Sequence, residues 1–203
     1  MEKEKKSGIT TRIIVEIALF AGIGLALDFL QGGLWRGVFT NGGSIGLSIL
    51  PILIIAYRRG FLPALITGLI ISLLQMLGGI YVISNSVLNV ILQISLDYII
   101  TFPLVAFAGL FHKAFVNAKD KKQRIAFIII GTSIGGLLKF LSHFLSGIIF
   151  WKNFEFVGGY VTYSLVYNGA YMLPNIIISI ILLIILYIKV PQIFLLEAKD
   201  ETK

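Results

Sequence analysis

The run IAFIIIGTSIGGLLKFLSHFLSGIIF, Ile125–Phe150, decides the fold class of this chain. A helix that crosses a hydrocarbon core of about 30 Å needs about 20 predominantly apolar residues, and this run exceeds that. Lipid offers the backbone no hydrogen-bond partner, so a run of this kind must form a helix. Two of its side chains are foreign to lipid, Lys139 and His143. An ionisable group at mid-bilayer costs at least ~2.5–3.5 kcal/mol on insertion scales, so each needs a physical reason to be there. Lys139, His143, Gly147 and Trp151 are spaced four apart. Residues at that spacing share one helix face, drifting slowly around it, and these four would extend over about 18 Å. That face must line a cavity or pack inside a bundle, because the remaining positions are mostly Ile, Leu and Phe.

The rest of the chain repeats the pattern. Of 203 residues, 57% are hydrophobic and 13% charged, and mean hydropathy is +0.94. A water-soluble domain carries about 25% charged residues, so this chain lacks the polar surface to coat a globule in water. The apolar blocks predict one membrane domain over 1–203 with six helices at about 12–30, 44–57, 61–77, 86–111, 125–150 and 165–189. The first, Ile13–Leu30, is too long for the core of a signal peptide and no A-x-A-like site follows it, so it reads as a retained span. The Gly-rich segment 31–43 reads as a loop, and Gly78–Asn85 as a second. With the N-terminus placed in the cytoplasm, fourteen Lys and Arg fall on the inner side, Arg58, Arg59, Lys113 and Lys119 among them, against Arg36 and Lys152 outside. Six spans with both termini cytoplasmic satisfy the positive-inside rule. The expectation is therefore an all-α integral membrane protein.

Several function classes are excluded. There is no cysteine, so thiolate chemistry and Cys-type metal sites are absent. His112 and His143 are too few and too far apart for a metal cluster. The charge of +7 is dispersed in short runs between apolar blocks, which fits membrane topology and not nucleic acid. No GxxxxGK[ST], HExxH or Ser-His-Asp pattern occurs, so no metal, cofactor or catalytic residue is assigned. If ATP drives this protein, another subunit hydrolyses it.

The ionisable candidates inside apolar runs are Glu16, Asp28, Asp97, Lys139 and His143. Asp97 either pairs within the protein, with Lys139 as the partner to hand, or faces a ligand. Gly147 serves either ligand approach or helix contact. Trp151 alone reads as an interfacial belt residue. Trp35, Tyr81, Tyr160, Tyr163, Tyr167 and Asn168 fall in or beside the segments assigned to the outer side, and a gathering of ring faces suits a cationic or flat heteroaromatic ligand. Ala18 and Gly22 form a small-xxx-small pair that admits another helix, from a partner or from this chain.

The stretch KFLSHFLSGIIFWKNFEFVGGYVTYSLVYN, Lys139–Asn168, resembles the signature of the thiamine-specific S-component (ThiT family) of energy-coupling-factor (ECF) transporters: K-x3-H-x3-G-x3-W followed by Y-x4-N. The resemblance continues in EIALFAG, PILIIAYRRG and LDYIITFPLVAFAGLF and covers about residues 11–190. It implies a six-helix, multi-pass protein of the bacterial cytoplasmic membrane, with a deep thiamine site opening outward beneath a lid, 31–43. It implies partners too: a transmembrane coupling subunit and two ABC-type ATPase subunits. By the motif, Trp35, Tyr98, Trp151 and Tyr163 would form an aromatic cage. Asp97 and His143 would address the aminopyrimidine, with Lys139, Gly147 and Asn168 completing the site. Ala18 and Gly22 would dock the coupling subunit. Asp97 stands where the family usually has Glu, and Gly22 where it has Ala. The alternatives are an S-component for another heteroaromatic vitamin or thiamine precursor, a stand-alone secondary transporter, and an intramembrane enzyme using His143 and Asp97.

Overall fold

The computed structural model describes residues 9–83, 86–152 and 154–196; Lys3, Lys5, Lys6, Asn85, Lys199 and Lys203 of the sequence reading lie outside them. The first helix, α1, runs Thr11–Trp35, with the Thr10 hydroxyl accepting from the Ile13 N–H. It is followed by α2 (Leu50–Arg59), α3 (Phe61–Gln75), α4 (Val87–Ile94), α5 (Thr101–Val105), α6 (His112–Val116), α7 (Lys121–Phe150) and α8 (Gly159–Lys189). Among the described residues there is no strand. Four helical segments are long and apolar enough to cross a membrane, and a fifth if a bent pair counts as one span.

The expected second span, 44–57, is the main correction. Its first six residues are irregular and α2 has only ten residues, about 15 Å of helix, half a bilayer core. The loop assigned to 31–43 is displaced as well. Gln31–Trp35 continue α1, so the irregular segment is 36–49. Side chains explain the shift. The Gln31 amide bonds to Ser44 Oγ at 2.9 Å and Ser48 Oγ at 2.8 Å, and accepts from the Ser48 N–H at 3.1 Å. Asn175 of α8 accepts from the Gly46 N–H at 2.7 Å and donates to the Ser44 carbonyl at 2.8 Å. These bonds replace a helical ladder, which periodicity in SIGLSIL could not reveal. Irregular backbone is tolerated at such depth where protein groups satisfy it.

The expected fourth span, 86–111, is also not one helix. α4 passes into a π-helical turn, Ser95–Ile99, then α5, a 3-10 stretch Ala106–Phe111 and α6, with a bend of 43°. Pro103 has no N–H to give the Ile99 carbonyl, and Ile100 N–H bonds to Ser95 O, the i→i−5 pattern of a π turn. The carbonyls freed there are met from the side: Ser142 Oγ donates to Leu96 O at 2.6 Å, and Gln75 and Thr101 donate to Tyr98 O at 3.2 and 3.3 Å. Such π turns are frequent at functional sites. The last two spans start earlier than expected. Asp120 caps α7 by accepting from Gln123 N–H at 2.8 Å, and α8 begins at Gly159, so Tyr160 and Tyr163 are helical.

One end of the bundle is tied by charge. Glu16 of α1 receives Arg58 (Nε 3.2 Å, Nη2 3.1 Å) and Arg59 (Nε 2.6 Å, Nη2 2.8 Å), while Arg58 Nη1 also donates to the Gln192 and Ile193 carbonyls. This accounts for Glu16 within an apolar run: two bidentate guanidinium forks meet both carboxylate oxygens. Between α2 and α3 the chain reverses at Gly60, φ 88° and ψ −168°, a region that only glycine occupies without strain. Ala18 and Gly22 lie on the exposed side of α1, and a Cβ on Gly22 would meet nothing within 4 Å. Replacing Gly60 with Ala is expected to cost about 1–3 kcal/mol, seen as a lowered Tm of detergent-solubilised protein. Gly22→Ala, which meets open space inside helix α1, should not lower Tm.

Candidate functional site

Gln31, Ser48, Lys139, Asn168 and Asn175, polar residues buried in this bundle, line one cavity of about 430 Å³. Its walls come from α1, the irregular segment 36–49, the π turn, α5, α7 and α8. Of the expected site residues, Asp97, Tyr98, Lys139, His143, Gly147, Trp151, Tyr163 and Asn168 all line it. Trp35 does not. It ends α1 and its ring packs on Phe39, at 5.8 Å between centroids, and Phe39 is the ring that reaches the wall. Along α7, Lys139, His143 and Gly147, with Trp151 at the helix end, present one polar and aromatic line to the cavity.

The π turn sets the acid. Widening the helix by one residue places Asp97 and Tyr98 side by side on the cavity wall. Asp97 Oδ1 lies 3.7 Å from His143 Nδ1, an electrostatic pair longer than a direct hydrogen bond. The alternative partner, Lys139, is not the one used. Its Nζ sits 3.8 Å from the centroid of the Phe102 ring. Lys139 is only 7% exposed, and a cation held against a ring face gains from the ring quadrupole.

Gly147 stands at both the cavity wall and a helix contact. A Cβ there would run into Ser164 of α8 and approach Asn168 Nδ2 to 3.2 Å. Asn168 is held by its own chain: Nδ2 donates to Ser164 O at 2.9 Å and Ser164 Oγ at 3.1 Å, and Oδ1 accepts from Tyr171 at 2.6 Å. Trp151 stacks on Tyr81, 5.5 Å between centroids and 24° between planes. Tyr81 is anchored in turn, its N–H donating to Tyr98 Oη at 2.9 Å, while Gln93 accepts from Ile83 N–H at 3.1 Å.

The irregular segment covers the cavity and is tied to α8. Asn41 donates from its N–H to Tyr167 Oη and from Nδ2 to Tyr163 Oη, each at 2.9 Å, and Tyr167 Oη donates to Gly42 O at 2.9 Å. Gly43 lies against the Tyr171 ring, where a Cβ would approach to 2.6 Å. Periodicity and motif did not single out Phe39, Asn41, Tyr171, Asn175 or Phe102. A signal existed for Tyr171, which continues the four-residue spacing of Tyr163 and Tyr167. The others carry no pattern and become wall residues only through packing.

Because the chain has no cysteine, Met172→Cys, a buried wall position, reports access to the cavity by its rate of thiol labelling. Adding Tyr167→Phe removes two hydrogen bonds of the cover and is expected to speed labelling about tenfold.

Residues 14–195 match the family model described as thiamine transporter protein. The chain is 33% identical to the thiamine transporter ThiT of Bacillus subtilis (strain 168) over 185 residues, covering 89% of this chain and 92% of that relative. It is 33% identical to ThiT of Lacticaseibacillus paracasei over 200 residues, covering 93% and 92%. The solved structure of ThiT from Listeria monocytogenes superposes with a TM-score of 0.75 at 32% identity, over 90% of this chain and 97% of that one. With matches of this length and identity, the chain belongs to the thiamine transporter (ThiT) family.

Proposed function

We propose that this protein captures thiamine in the cavity beneath segment 36–49 and hands it to an ATP-driven ECF assembly. The observation that carries this reading is the joint presence, in one cavity, of Asp97 paired with His143 and of the Trp151 ring. Thiamine has a flat aminopyrimidine and a thiazolium with a fixed positive charge. Asp97 accepts from the 4-amino group and attracts the cation, and His143 completes the polar contact. A ring on Trp151 contributes stacking and cation–π attraction, about 2 kcal/mol or more when desolvated. Tyr81 is in direct contact with Trp151, so a ligand ring displaces Tyr81 or uses the opposite face. Tyr98 and Tyr163 border the same space, and Asn168, with Gly147, keeps α7 and α8 close enough to hold its shape.

In the cell, both termini lie in the cytoplasm and the cavity opens outward, which places the Glu16–Arg58–Arg59 cluster inside. Segment 36–49 with α2 completes a sixth crossing. The segment opens and recloses as a lid, its bonds to Tyr163 and Tyr167 being the ones made and broken. The partners are a transmembrane coupling subunit, docked on the small-residue face of α1 at Ala18 and Gly22, and two ABC-type ATPases. The chain does no chemistry of its own. The location is the bacterial cytoplasmic membrane.

Titrating the purified protein with thiamine is expected to change Trp fluorescence with a sub-micromolar Kd; weaker binding by a folded sample rejects the assignment. By calorimetry, Trp151→Ala should cost about 2 kcal/mol of binding and Asp97→Asn about 2 kcal/mol. Ala18→Trp or Gly22→Trp should abolish co-purification with ATPase subunits and leave thiamine affinity intact. Loss of both together would argue for damage to the fold instead.

A further inference from the structure

Asp28 belongs to none of the roles above. It stands in the apolar run of α1 and lines the cavity. α1 packs on α2 and α3, whereas α7 packs on α5 and α8, so Asp28 and Lys139 are contributed by two separately packed elements of the cavity wall. The ionisable groups lining that wall, tyrosines aside, are Asp28, Arg36, Asp97, Lys139 and His143. Asp97 lies on the cavity wall, 3.7 Å from His143 Nδ1. Arg36 is exposed beside the cover, where solvent and salt screen it. Lys139 is left, buried beside Phe102 with its ammonium 3.8 Å from the ring centroid. An ammonium in that position would repel a cationic ligand over a short, poorly screened distance.

We infer that Asp28 is the residue that makes this cavity selective for a cation. It balances Lys139 across the cavity wall, so that the charge presented to the ligand is the one on Asp97. The inference rests on the capture of a cationic heteroaromatic ligand proposed above and adds the residue that permits it. It also gives Lys139 a use that does not require contact with the ligand. Asp28 is a positioning residue here, acting on the ligand through Lys139.

The test compares thiamine with deazathiamine, an analogue of the same shape whose thiophene ring has no charge, by calorimetry on the full chain. Asp28→Asn is expected to weaken thiamine about thirtyfold and deazathiamine less than about threefold. Adding Lys139→Met to Asp28→Asn should return thiamine to within about threefold of the original protein. Lys139→Met alone, which leaves Asp28 unbalanced, should raise the preference for thiamine over deazathiamine. Equal losses for the two ligands, or no recovery in the double variant, would overturn the inference. If Asp28→Asn fails to fold, the Lys139→Met preference decides, and an unchanged or lowered preference overturns it. If the original protein binds neither ligand, the capture proposal itself fails. The charge pairing is then read from Tm, where each single variant should fall and the double variant recover; no recovery refutes the pairing.

Discussion

Acyl chains cannot solvate an ammonium or an imidazole, and α7 carries both within one apolar span. Much of the architecture follows from keeping that face out of lipid. The line Lys139–His143–Gly147–Trp151 has to be enclosed, and it is enclosed by elements that give up regular structure to do so. The backbone between α1 and α2 stays irregular and lies over the cavity. The segment facing α7 widens into a π turn that sets Asp97 opposite His143. Each irregularity frees backbone groups, and polar side chains of neighbouring helices satisfy them: Gln31 and Asn175 for the first, Ser142, Gln75 and Thr101 for the second. In a membrane interior an orphaned backbone group costs several kcal/mol, so these side chains hold the cavity open as firmly as packing does.

The two ends of the bundle are built differently. At one, guanidinium groups clamp Glu16 and the 3-10 turn Pro191–Ile193, joining α1, α2 and the end of α8. At the other, the contacts are aromatic rings and single hydroxyl bonds, Tyr81 on Trp151 and Asn41 on Tyr163 and Tyr167. Single neutral hydrogen bonds contribute about 0.5–1.5 kcal/mol net, and those to charged groups about 1.5–3. One end is thus fastened by charge-assisted bonds and the other by single neutral ones.

Much of the candidate site was legible in the amino-acid sequence. Four-residue spacing placed Lys139, His143, Gly147 and Trp151 together because helix geometry leaves little choice once lipid enforces a helix. The motif added Asp97, Tyr98, Tyr163 and Asn168, and all eight line the cavity. α1 continues five residues beyond the expected loop start, and the Trp35 ring at its end packs on Phe39 instead of lining the cavity. SIGLSIL has the composition of a helix, while its backbone bonds go to side chains distant in sequence.

Hydrophobic runs and the cost of unpaired backbone in lipid were enough to establish from sequence that this is a helical membrane protein, with a polar line on α7 that something must enclose. Which charge answers which was beyond the sequence. Asp97 could have met Lys139, and both lie within reach of several arrangements of six apolar runs. Packing set His143 against Asp97 and the Phe102 ring against Lys139, since charge interactions depend on ångström distances between helices, and those distances are set by the bend at the π turn and by small residues such as Gly147. Periodicity records which way a side chain points from its own helix; only the assembled bundle decides what stands opposite it.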